Sequence, residues 1–231
     1  MRKRFAWPIL GLILTVALTI PTPAAAAPPV SPQVALDWNL NAVNAVRAAR
    51  TMDGVAPGGA PRALYQTEGL LYMSYVQAAV YDATMKVSHR YLLYHHFSAA
   101  AGHASVEAAV VAAYYNTLVF YLGDPTGALA AKYTAGIAAL PADDHTTRGI
   151  EVGEAAAADI ERLRANDGRN GPISDACPTK STPGAWQCPP LPSLQSKQTP
   201  WIAVMQPFTL ASDSQFRAPA PPRARQYSVH G

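Results

Sequence analysis

The sequence predicts an all-α protein: a helical bundle of about five helices followed by a long proline-rich irregular C-terminal extension. Three observations carry that expectation. Between residues 32 and 168, apolar side chains recur at mixed two-, three- and four-residue steps or on more than one face, in alanine-rich runs that favour helix and let backbones approach closely. Helix-ending residues bound these runs, as at Gly123 with Pro125 and at Pro141. About half of the 21 prolines fall after Gly168, where each removes a backbone donor and clashes with the preceding turn. With 231 residues, 49% hydrophobic and 14% charged, the chain is too apolar for disorder and long enough for a real core.

The elements follow in order. Residues 1–26 read as a secretory signal peptide: Arg2-Lys3-Arg4, an apolar run from Phe5 to Ile20, then Ala24 and Ala26 placed for cleavage after Ala26. The apolar run is short for a permanent span. The expected location is secreted or extracytoplasmic. Of the 18 basic and 15 acidic residues, the three basic ones of the signal segment would be lost, leaving 15 of each. A neutral chain carries no footprint for nucleic acid and no basic block for an anionic membrane.

Residues 27–168 form the expected helical domain. A first helix opens at Pro32 and runs to about Arg50, with Leu36, Trp38, Leu40, Val43 and Val46 on its apolar side. Asp53 to Pro61 is a loop. Residues 62–87 form the strongest helix, apolar nearly all round and therefore expected at the centre. Ser88 to Ala101 is a connection. Ser105 caps a third helix that stops at Gly123. A fourth spans Pro125 to Ala139. Asp143 or Asp144 caps a fifth, which ends at Asn166-Asp167-Gly168.

Residues 169–231 form the proline-rich extension. Trp186, Trp201, Ile202, Val204, Met205, Phe208 and Phe216 give it an aromatic and apolar content unlike a disordered tail, so it is expected to lie over the helices as an ordered irregular segment. Cys177 and Cys188 are the only cysteines. In an exported chain they suggest one local disulfide, worth about 2–3 kcal/mol in the chain-entropy model.

Chemistry is sparse. His89, His95, His96 and His103 cluster in sequence without metal-ligand spacing, and read as polar loop residues. Ser98 to His103 has the ingredients of an oxyanion cradle, but its serine is not adjacent to the glycine and no Lys/Arg cluster accompanies it, so it reads as a coincidence in a helix-entry loop. Asp82 sits inside the very apolar second helix, where a carboxylate must be paired, hydrogen-bonded or protonated. Arg47, Arg50 and Arg62 are its candidate partners, and a structural ion pair between helices is the favoured role. Glu68 lies fourteen residues away on the same helix, about 21 Å, too far to form a catalytic carboxylate pair with it. There is no G-x-S-x-G, phosphate-binding loop or dinucleotide fingerprint, and no catalytic, cofactor-binding or metal residue is assigned.

The order of features resembles the opening of bacterial vanadium-dependent haloperoxidases, of the type 2 phosphatidic acid phosphatase superfamily. The resemblance rests on Val34-Ala-Leu-Asp-Trp-Asn39 followed by Arg47, Ala78-Ala-Val-Tyr-Asp-Ala83 followed by Tyr91, Glu107-Ala-Ala-Val110, Gly153-Glu-Ala-Ala-Ala-Ala158 and Leu163-Arg-Ala-Asn-Asp-Gly168. Pro183-Gly-Ala-Trp186, Pro207-Phe208 and Gln215-Phe-Arg217 extend it over nearly the whole mature chain. It implies an all-helical fold and a site that surrounds vanadate or phosphate with a histidine, Lys, Arg, Ser and a glycine N–H. In the family those groups lie on stretches that follow the matched region, and none of the stretches occurs in this sequence. The implied protein is the N-terminal helical portion of an exported haloperoxidase or acid phosphatase-like protein, inactive alone. Vanadate is then expected only with a catalytic C-terminal half, and that half or a second copy of the chain is the expected partner. The alternative is a self-standing secreted helical domain with a binding or structural role and no catalysis.

Overall fold

The computed structural model describes residues 31–53, 58–171 and 199–219. The signal segment, Cys177, Cys188 and Trp186 lie outside the described residues. Five α-helices make up the body: α1 (Gln33–Ala48), α2 (Gln66–Ser88), α3 (Val106–Leu122), α4 (Ala128–Ala138) and α5 (Asp144–Leu163). The protein is all-α. A two-residue antiparallel ladder, β1 (Arg50–Thr51) with β2 (Arg62–Ala63), closes the loop between α1 and α2. The second helix therefore starts four residues later than its apolar pattern suggests. Arg62 and Ala63 are taken up by the ladder, and the Glu68 carboxylate accepts the Tyr65 N–H at 2.6 Å to cap the helix. Among the described residues no helix is long and apolar enough to cross a membrane.

The capping expected from the sequence is in place. The Ser105 hydroxyl accepts the Ala108 N–H at 3.1 Å, and the Asp143 carboxylate accepts the Thr146 N–H at 2.9 Å. Gly123 closes α3 at φ 69°, a conformation that costs a glycine little. The fourth helix begins at Ala128 rather than Pro125, because Gly127 in the left-handed region separates it from the preceding turn.

The central helix is α3, not α2. It packs against all four other helices. Ala108 to Tyr114 are buried without interruption, as are Thr117 and Leu118. The sequence pointed to α2 because its apolar residues are larger. Yet α2 exposes Leu70, Ser74, Gln77 and Tyr81, whereas small residues let α3 be enclosed on every side.

Helix α5 lies directly on α3. A Cβ at Gly149 would stand 2.4 Å from the Ser105 carbonyl oxygen, and one at Gly153 would stand 2.4 Å from that of Ala109. The rising pairing of 149 with 105 and 153 with 109 means the two helices run parallel. Helix α4 runs antiparallel to α3, with Tyr133 stacked on Tyr115 at 4.3 Å and Gly136 facing Val111. Helix α1 stacks Trp38 on Tyr114 of α3 at 6.2 Å. These contacts form one core cluster. A second, around Leu71, Tyr75, Ala79, Ile160 and Trp201, joins α2, α5 and the 199–208 segment.

That segment bears on the extension expected from the sequence. A short 3-10 turn, Pro200–Val204, puts Trp201 into the second cluster, and Phe208 packs beside Tyr75 and Tyr94. Ile202, Val204 and Phe216 are exposed instead. Part of the apolar content of the extension anchors it, and part faces water.

Candidate functional site

The polar groups of interest gather where α2, the connection after it and α5 meet. Asp82 is buried in α2. Its carboxylate accepts the backbone N–H of Tyr94 at 2.5 Å and of His95 at 3.0 Å. Burial pushes its pKa up, against the opposing pull of those two N–H donors, and the nearby Asp159 charge adds to the rise. Asp82 therefore pins the connection 89–104 to the bundle. The expected arginine partners are not there. Arg62 forms a bidentate pair with Glu68, 2.7 Å for each bond. Arg50 donates to the carbonyls of Arg47, Ala48 and Ala49 and closes the end of α1. Arg47 is exposed. The physical reason is position: Arg62 lies beside the first turn of α2, where Glu68 reaches it first, and Asp82 is more than three turns further along.

Asp159 on α5 is the second buried carboxylate, its side chain 2% exposed. It accepts a hydrogen bond from His95 Nδ1 at 2.5 Å and another from the Arg162 guanidinium one turn on. The same argument that picks out Asp82 applies to Asp159, which follows four alanines and precedes Ile160. The sequence reading passed over it.

Beside this pair lies an open cleft of about 650 Å³, lined by Lys86, His96, Phe97, Ser98, Ala99, Ala155, Ala158, Asp159 and Arg162. Lys86 sits in the last turn of α2. Its ammonium donates to the Phe97 carbonyl at 2.9 Å and stands 5.2 Å from the Phe97 ring centre. Ser98 thus has two cations near it after all, brought from α2 and α5 rather than from neighbouring sequence. His103 is held elsewhere: its carbonyl accepts from His145 Nδ1, and the two rings meet edge-on.

A third polar cluster fastens the 199–208 segment. Arg164 is buried, its side chain 1% exposed. It donates to Asp167 at 3.1 Å and to the carbonyls of Gln206 and Pro207, and its guanidinium lies 4.1 Å from the Phe208 ring centre. The Tyr75 hydroxyl donates to Asp167 at 2.5 Å. Burial, then that bond, push Tyr75 above the ordinary tyrosine range, so it stays protonated as the donor. Arg169 stacks over Tyr72 and Tyr121. Arg164, Asp167 and Tyr75 are spent on each other and on the 206–207 carbonyls and serve the fold, whereas Arg169 Nε and the Tyr121 hydroxyl are buried with no partner among the described residues. Leu163-Arg-Ala-Asn-Asp-Gly168, noted in the sequence for its resemblance, is the stretch that builds this cluster.

Among the described residues, no group of three His, Cys, Asp or Glu side chains converges as a metal site. Set against protein-family models, curated proteins and solved structures, the chain matches none of them.

Proposed function

We propose that this chain supplies the helical framework of an exported protein of the vanadium-dependent haloperoxidase type, and that the groups enclosing the oxyanion come from residues outside it. The observation that carries the reading is a set of large apolar side chains in water. Leu36 and Leu40, one turn apart on α1, are 60% and 59% exposed, and Leu92 is 86% exposed. Leu70 of α2 and Phe120 of α3 are exposed as well. A framework that awaits a second body is expected to leave such surface. The resemblance in order and spacing of short segments supplies the rest of the argument.

The test is purification of the mature chain by itself. It is expected not to brominate a dye with bromide and peroxide, with or without orthovanadate, and not to cleave a phosphomonoester. It is expected to bind a hydrophobic dye or to self-associate, and Leu36→Glu with Leu40→Glu is expected to reduce both. Turnover by the isolated chain would overturn the reading. So would a monodisperse monomer with one cooperative thermal transition and no dye binding.

The second reading, a self-standing secreted binding domain, is favoured by one observation: both core clusters are closed by the chain's own helices and the 199–208 segment. The monodisperse outcome is the one it expects.

A further inference from the structure

We propose that the cleft between the C-terminal turn of α2, the 96–99 loop and α5 binds a small oxyanion, a phosphate or carboxylate group carried on a compact molecule, through Lys86, Ser98 and Arg162. The inference does not depend on the framework reading above, and its three proposed donors lie outside the segments that carry the resemblance.

The argument starts from donor accounting. An ammonium has three N–H groups, and Lys86 gives one to the Phe97 carbonyl. No further protein acceptor is within reach of it among the described residues. Arg162 has five donors, and its one hydrogen-bond partner among the described residues is Asp159. Its side chain is 71% exposed, so the remaining edge faces the cleft and solvent. Ser98 lines the same cleft, and its hydroxyl has no partner among the described residues. Donors in surplus and acceptors already spent describe a place for an acceptor-only ligand.

The charge has the right sign. Among the lining side chains, Lys86 and Arg162 are cations and Asp159 is the one anion. Both oxygens of that anion are occupied, by His95 and by Arg162 itself. His96, also on the wall, adds positive charge when protonated. Asp82 stands behind the wall, and its oxygens are spent on the Tyr94 and His95 N–H groups.

The cleft is also positioned rather than accidental. Asp159 holds the Arg162 guanidinium one turn along α5, and Phe97 holds the Lys86 ammonium through its ring and its carbonyl. Asp82 fixes the backbone that leads into His96, Phe97 and Ser98. Three separate elements are thereby held around one volume, which lowers the ordering cost of binding. Ala99, Ala155 and Ala158 leave the floor small and apolar, room for a short carbon body beside the anionic group.

The test is calorimetric titration of the full mature chain at low ionic strength, with inorganic phosphate and acetate as separate probes. Saturable binding with a Kd on the order of 1 mM is expected for at least one of them. Tighter phosphate would assign a phosphoryl ligand, and equal or tighter acetate a carboxylate; both support the site. Lys86→Met keeps an unbranched side chain without the charge and is expected to weaken binding about tenfold, as loss of a charge-assisted contact does. Ser98→Ala, which removes one hydroxyl from an exposed loop, is expected to weaken it a few-fold and serves if Lys86→Met folds poorly. Lys132→Met, in a separate cavity between α1 and α4, is expected to leave it unchanged. Absence of saturable binding by either probe would overturn the proposal. So would equal affinities of Lys86→Met and the parent, or a loss for Lys132→Met as large as for Lys86→Met, which would mean diffuse charge rather than a site.

Discussion

The two halves of α5 are held by opposite means. Its first half lies on α3 with no side chain between the backbones, at Gly149 and Gly153. Its second half carries Asp159, Arg162 and, just past its end, Arg164 and Asp167, each bound to a named polar partner. The first half is expected to be sensitive to an added atom, and the second to loss of a charge from the buried Arg164–Asp167 pair. One helix thus has two kinds of fragility, and substitutions that spare one kind expose the other.

The largest effect is expected from bulk in the first half. Gly149→Val with Gly153→Val is expected to abolish the folded state, read as loss of the cooperative transition by circular dichroism. Gly153→Ala alone places a Cβ 2.7 Å from the Ala112 Cβ as well as against the Ala109 carbonyl. Alanine gains about 1 kcal/mol in helix propensity. Overpacking costs up to about 3 kcal/mol and exceeds that gain where only backbone could yield. A lowered melting temperature is expected, and a raised one would show that α3 and α5 lie further apart.

The second half is broken by removal. Arg164→Met strands the buried Asp167 carboxylate and two carbonyls, at an expected cost of about 3–5 kcal/mol in urea unfolding. Adding Asp167→Asn is expected to recover part of it, since an amide there leaves no charge to strand. A double variant as unstable as the single one would locate the loss in the carbonyls of Gln206 and Pro207.

A smaller, pH-dependent effect sharpens the contrast at the start of α2. Burial alone would raise Glu68, but the hydrogen bond from Arg62 and the Tyr65 N–H outweigh it and hold the carboxyl below its ordinary value. A depressed acid stabilises the fold above its unfolded pKa, and that contribution is lost as pH falls through the folded one. Asp82 has the opposite sign. Its raised pKa means stability falls as pH climbs through the folded value, because the ionised form is the costly one. Glu68→Gln is expected to flatten the acid limb of a stability-against-pH curve below the usual glutamate range. An unchanged limb would assign acid sensitivity to other carboxylates. The smallest effect is expected from Ser105→Ala, about 1 kcal/mol for a lost cap.

Much of the bundle was legible because its signals are local. Ser105, Gly123 and Asp143 mark helix ends through groups within a few residues of themselves, and the structure uses all three. The start of α2 was misread because Arg62 and Ala63 pair with Arg50 and Thr51 across a loop, a contact that periodicity does not record. The centre was misassigned to α2 because side-chain size was taken for burial. Small residues on α3 and glycines on α5 permit a closer approach than large ones. Asp82 was recognised as a carboxylate that needs partners, but the partners are main-chain N–H groups a dozen residues on, which no residue type betrays. The cationic cleft was invisible for the same reason: Lys86, Ser98 and Arg162 are distant in sequence and meet only through the packing of α5 on α2.

Arg164 has a consequence for a polypeptide cut ahead of the 199–208 strap. The carbonyls of Gln206 and Pro207 cover its guanidinium, and the Thr199 hydroxyl ties the same strap to Thr67 at 2.7 Å. A nicked polypeptide that sheds the strap is expected to leave a bare cation and a tyrosine-lined seam open to water and to proteases.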